Sequence, residues 1–157
     1  MQEMIITLAN SSEIDKMTQA RVEYCLRDNL DLNKIEYEHF YYQVKEWTKE
    51  NVEHGNFITY FGKLNDEIVS FAGILMFTLP PIVGKNNRKQ GYILSFFTYP
   101  KYRKKGYGKQ LMDYMKKDAI NHGIEDLVLK ATKDGENLYR NCGFNEPNMP
   151  YMEYRIV

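Results

Sequence analysis

The stretch Phe96-Phe97-Thr98-Tyr99-Pro100-Lys101-Tyr102-Arg103-Lys104-Lys105-Gly106-Tyr107-Gly108-Lys109-Gln110-Leu111-Met112 passes from an apolar strand through a basic loop into an amphipathic helix. Glycine at 106 and 108 lets backbone N–H groups crowd around a bound group, and the helix adds its positive N-terminal end. Arg103, Lys104, Lys105 and Lys109 surround the spot with cationic charge, a combination suited to a pyrophosphate. A Walker loop needs Ser or Thr after Gly-Lys, and Gly108-Lys109 is followed by Gln110. A dinucleotide fingerprint needs glycine at 111, which is leucine. What remains is Arg103-x-x-Gly106-x-Gly108.

A second motif lies downstream: Ala131-Thr132-x-x-Gly135-x-x-Leu138-Tyr139-x-x-x-Gly143-Phe144. Together the two resemble the coenzyme A loop and the C-terminal signature of the GNAT acetyltransferase superfamily. The likeness is to the subset with Thr and Gly where many members carry Asn and Ala. It extends over about residues 92–157 and is architectural before that.

The resemblance implies an N-acetyltransferase that uses acetyl-CoA and no metal, the amine attacking the thioester directly. By position, Phe96, Phe97 and Thr98 would pair with pantetheine on a strand splayed by a bulge, with the backbone N–H near Phe97 stabilising the oxyanion. Arg103, Lys104, Lys105, Gly106, Tyr107, Gly108 and Lys109 would hold the pyrophosphate, and Thr132 would border the cofactor. Tyr139 matches the usual general acid. Related enzymes often place a glutamate base on the strand before the loop, but Gln90, Tyr92 and Ser95 stand there; Ser95 can orient a water instead. Glu36, Glu38 and His39 are further candidates from the second helix.

Composition supports an ordinary folded chain. It has 157 residues, 43% hydrophobic and 27% charged, which suits one domain over 1–157. Met4–Leu8 is too short for a signal-peptide core and no apolar run approaches a membrane span, so a cytoplasmic protein without membrane contact is expected. Cys25 and Cys142 lack metal-ligand spacing and read as free thiols of a reducing compartment. Zero net charge conceals an asymmetry: residues 1–79 hold 7 Lys/Arg against 13 Asp/Glu, and residues 80–157 hold 14 against 8. An acidic half beside a basic half suits a cationic amine meeting a polyanionic cofactor and argues against a nucleic-acid footprint.

Outward from the loop, hydrophobic period predicts the rest. Gln2–Leu8 reads as an edge strand. A helix follows, capped by Ser11 or Ser12 and running to about Asp28, then another from Glu36 to about Val52. Strands Phe57–Leu64 and Glu67–Thr78 meet at Asn65-Asp66, and Tyr92–Thr98 follows. A helix carrying Leu111, Met112, Met115 and Ala119 stops at His122-Gly123. Strand Leu127–Thr132, a short helix near Gly135–Asn141 and a final strand Met152–Ile156 complete the chain. The expected fold is α/β in the α+β sense: a mixed, mostly antiparallel sheet of about six or seven strands with about four helices and a splayed strand pair.

Within the first helix Arg21 falls among Met17, Tyr24 and Cys25, on the apolar side, so it needs a counter-charge: a substrate carboxylate or an internal Asp or Glu. The stripe of Tyr37, Phe40 and Tyr41, with Glu36 or Glu38 beside it, can cup an amine. The expected acceptor is the primary amine of a small molecule. A protein N-terminus or lysine, or a sensor that binds coenzyme A without turnover, are the alternatives. A homodimer is compatible with this reading.

Overall fold

The structure, a computed structural model, describes residues 2–157. Five strands form one sheet in the order β1-β2-β3-β4-β5, with ranges Ile5–Leu8, Phe57–Leu64, Glu67–Thr78, Lys89–Thr98 and Asp126–Val128. The first four are antiparallel to their neighbours, and β5 joins β4 in parallel. The parallel step follows from the crossover helix α3, Tyr107–Asn121, which returns the chain to the start of β4. Helices α1 (Ile14–Leu26), α2 (Lys34–Glu53) and α4 (Glu136–Asn141) complete the expected four.

Caps set the helix starts. Asn10, not Ser11 or Ser12, caps the turn leading into α1, its Oδ1 accepting from Ser12 N–H at 2.9 Å. Asn33 caps α2 and forms a reciprocal box with Glu36, whose carboxylate accepts from Asn33 N–H at 2.9 Å. The sheet has apolar side chains on both faces. On one, Tyr60, Ile74 and Ile93 pack against Leu111, Met112 and Met115 of α3; on the other, Phe61 and Phe71 pack against Met17 and Ala20 of α1. Helices cover both faces, so the middle strands are buried on both sides.

Two expected strands are shorter or absent. β5 ends at Val128 instead of Thr132, because β4 pairs with it only from Gln90 to Tyr92 and then diverges. Met152–Ile156 forms no strand, so the sheet has five strands rather than six or seven. Every residue of 151–157 is exposed, leaving its alternation nothing to bury, and Pro147 and Pro150 interrupt the approach.

Candidate active site

The site begins with an irregularity in β4. Phe71 of β3 faces Phe97 and Gly73 faces Leu94, so Ala72 alone stands opposite both Ser95 and Phe96. That is a β-bulge. Ser95 takes φ +54°, a left-handed conformation costing about 1–2 kcal/mol for a residue with a Cβ. Its buried hydroxyl accepts a hydrogen bond from Arg21 Nη1 at 3.0 Å.

Beyond the bulge, main-chain direction is readable from the hydrogen bonds. Tyr99 N–H donates to the Val69 carbonyl at 3.1 Å, and the Phe97 carbonyl accepts from Ser70 Oγ at 2.8 Å. Both residues therefore turn their polar groups toward β3. Alternation along the strand turns Thr98 and, across the bulge, Phe96 toward the gap left by β5. The donors facing the gap are thus the neighbours of Phe97, not Phe97 itself.

The loop after β4 is fastened at its base. Glu67 accepts from Lys101 Nζ at 2.7 Å and from the Tyr102 hydroxyl at 2.9 Å. Arg103 folds back, Nε donating to the Thr98 carbonyl at 2.8 Å with its guanidinium over the Phe97 ring. Lys104 at φ +58° and Gly106 at φ +84° then turn the backbone into α3. The helix's own ladder starts with Gln110 N–H on the Gly106 carbonyl at 3.0 Å. The N–H groups of Tyr107, Gly108 and Lys109 are left at the open end of the helix, where an anion is favoured. Lys109 is paired with Asp113, whereas Lys104 and Lys105 have no carboxylate partner among the described residues.

A cleft of about 1190 Å³ runs from this loop along β4 to the C-terminal end of α1. Phe96, Phe97, Thr98, Arg103, Lys104, Gly106, Gly108 and Lys109 border it from one side, and Thr132, Gly135 and Tyr139 from the other. Lys105 does not line it, and Tyr107 packs into the core instead. Gly108 matters by its size: a Cβ there would stand 3.2 Å from Leu138 Cδ2 and fill the space beside Thr98.

Tyr139 is buried between Phe96 and Phe144, ring centroids 5.8 and 6.1 Å away, and its hydroxyl has no hydrogen-bond partner among the described residues. Gly135 makes room for that ring, since a Cβ there would lie 2.8 Å from Tyr139 Cε2. Thr132 Oγ1 accepts from Gly135 N–H at 3.3 Å and steadies the start of α4. Burial foremost, with Tyr24 adding to it and Arg27 opposing, pushes the Tyr139 phenol up to about 12.

At the far end the cleft meets α1 and α2. Tyr37 borders it and stacks on Tyr41, centroids 6.3 Å apart, while the Glu36 carboxylate is occupied by its cap. Arg21 and Ser95 are joined at the bulge, and neither is among the residues that line the cleft. Tyr24, Glu23 and Arg27 also line the cleft, and sequence reasoning passed over all three. The available signal was Arg27 one turn after Tyr24 on the helix that already carried the anomalous Arg21. Among the described residues no three His, Cys, Asp or Glu gather as a metal site, and no helix is long and apolar enough to cross a membrane.

No curated protein sequence matches the chain. A predicted acetyltransferase from Clostridium acetobutylicum, solved with acetyl-CoA, superposes with a TM-score of 0.83 at 19% identity, covering 98% of this chain and 97% of that one. Glucosamine-6-phosphate N-acetyltransferase from Arabidopsis thaliana gives 0.67 at 16%, covering 98% and 99%. Ribosomal-protein-alanine N-acetyltransferase from Brucella melitensis biovar Abortus gives 0.68 at 16%, covering 98% and 100%. At such identities the likeness speaks for the fold. The sequence profile of the Acetyltransferase (GNAT) family matches residues 20–144, so the bulged strand, basic loop and Tyr139 helix all fall within it. The chain belongs to the GNAT acetyltransferase family and is an acetyl-transferring enzyme.

Proposed function

We propose that this enzyme transfers the acetyl group of acetyl-CoA to the primary amine of a small molecule. The observation that carries the reading is the convergence of three things on one cleft: outward-turned amides at the bulge, the open amides of α3, and the unpartnered Tyr139 hydroxyl. The cleft suits coenzyme A, because Gly108 keeps clear the space a Cβ would fill beside Thr98, and Lys104 lines it without a carboxylate partner among the described residues.

When bound, acetyl-CoA supplies an activated thioester. The amides of Tyr107, Gly108 and Lys109 would hold its phosphates at the helix end. The Phe96 and Thr98 amides face the gap in the sheet and donate to whatever oxygen lies there, in a region partly shielded from water. Tyr139 stays protonated at neutral pH, and its hydroxyl would give its proton to the thiolate sulfur as the C–S bond breaks. A phenol held near 12 loses its proton reluctantly, so the transfer is concerted with charge building on sulfur rather than preceding it.

The Tyr24, Arg27 and Tyr37 side chains border the end of the cleft away from the basic loop, where an acceptor would enter. Thiol release from acetyl-CoA across a broad panel of small primary amines tests the proposal. Turnover with several amines and none with neutral alcohols is the expected result. Turnover only with N-terminal peptides would assign the enzyme to protein modification, and saturable coenzyme A binding with no turnover at all would make it a sensor.

A further inference from the structure

A second cavity, of about 390 Å³, lies beside the cleft on the face of the sheet that α1 covers. Phe61 and Phe71 give it apolar walls, and Tyr41 and Tyr99 add two phenol rings. Gln19, Glu23 and Tyr99 line both this cavity and the cleft, so the two spaces adjoin at those three side chains.

The charged groups around the cavity are matched except at this junction. Asp15 is paired with Lys45 at 2.7 Å, and Lys16 with Glu13 at 3.4 Å. Glu23, half-buried, accepts from the Tyr99 hydroxyl and from Gln19 Nε2 at 3.1 Å, both neutral donors. No lysine, arginine or histidine pairs with it among the described residues. Arg27, one turn further along α1, is engaged with the Tyr24 ring and carbonyl and with Asp28, while Arg21 donates to Ser95. A carboxylate offers about four lone-pair sites, so two neutral donors fix Glu23 in place and leave it both acceptor capacity and its full charge. Partly withdrawn from water, that charge gains most from a cation.

The reacting nitrogen must be neutral to attack, and it must reach the gap that the Phe96 and Thr98 amides face. Glu23 is tied to another place. The ring of its partner Tyr99 packs on Phe71 and Phe97, centroids 6.0 and 5.3 Å away, on the α1 side of the sheet. A cation seated there is a different part of the acceptor. We infer that the acceptor carries a second, non-reacting ammonium, and that Glu23 receives it where the cleft meets the side cavity. The Tyr41 and Tyr99 rings of that cavity add cation–π attraction. The inference rests on the acetyl-transfer reading and narrows it to amines with two basic centres.

The experiment compares matched pairs in the wild-type enzyme: 1,4-diaminobutane with butylamine, 1,5-diaminopentane with pentylamine, and 1,6-diaminohexane with hexylamine. Both KM by thiol release and Kd by titration into the coenzyme A complex are measured. The diamine of at least one pair is expected to bind about tenfold or more tightly than its monoamine, and Glu23→Gln to erase that difference. Glutamine keeps an oxygen for the Tyr99 hydroxyl, and thermal melting checks that the variant stays folded. Tyr99→Phe, which leaves the charge and removes its tether, should keep part of the preference. If every pair is treated alike by wild type, the inference fails. It also fails if the diamine preference survives Glu23→Gln. Equal weakening of monoamine and diamine by that variant would place the reacting ammonium, or a structural role, at Glu23 and overturn it too. Turnover of monoamines without any diamine preference would sink the inference and leave acetyl transfer standing. Tight diamine binding abolished by Glu23→Gln, with no thiol release from any amine, would uphold the cation site while overturning the acetyl-transfer reading.

Discussion

Tyr139 carries its hydroxyl into the cleft with a proton that the surrounding burial holds firmly. Replacing it with Phe removes one oxygen and leaves the packing against Phe96 and Phe144, so kcat and kcat/KM should fall together, by about 10²-fold, with acetyl-CoA affinity unchanged. Steady-state kinetics beside cofactor titration check this, and an unchanged kcat would reduce Tyr139 to packing. The same residue sets a pH signature. Its pKa lies above the unfolded value near 10, so the folded state keeps a proton that the unfolded chain releases. Stability from this group is level below pH 10 and declines as pH rises from about 10 toward 12. Tyr60 and Tyr99 are raised as well, by burial and by hydrogen bonds to Asp118 and Glu23, so tyrosinate absorbance should show several late-titrating phenols, of which Tyr139→Phe removes one. The place of Tyr139 was legible from the Leu-Tyr pair and the Gly-Phe turn. Its neighbours were not, because what brings Tyr24 and Arg27 to it is the packing of α1 on β4, which no local pattern announces.

Among the elements, the β4–loop–α3 unit was the most legible, since strand, glycine loop and amphipathic helix each leave a local mark. The bulge itself left none: Ser95 at φ +54° is held by Arg21, a residue distant in sequence, and serine has no marked taste for that conformation. The short β5 and the unpaired tail were misread for a related reason. Strand length depends on a partner, and the divergence of β4 removes it after Tyr92. Within the loop unit, Gly108→Val should abolish acetyl-CoA binding while the fold survives. Its side chain would press on Leu138 and occupy the space next to Thr98. Calorimetric titration with a circular-dichroism control tests it; wild-type affinity in a folded variant would move the phosphate site elsewhere.

At the scale of the whole molecule, residues of both the acidic first half and the basic second half line the cleft, Glu23 and Asp28 from the first and Arg103, Lys104, Lys109 and Lys133 from the second. Lys104 and Lys105 are exposed and have no carboxylate partner among the described residues, so their attraction for phosphates is open to screening. The KM for acetyl-CoA should rise with added salt, and charge reversal at Lys104 and Lys105 should flatten that dependence; a KM indifferent to salt would assign recognition to the backbone amides alone. The divergence of β4 from β5 has a last consequence. A sheet interrupted midway carries an edge inside the molecule, where aggregation is prevented by α1 and α4 standing on either side rather than by charge or proline. A ligand whose polar groups paired with that edge would act as a borrowed strand, completing the sheet on binding and reopening it on release. Turnover in such a molecule is a small reversible act of folding.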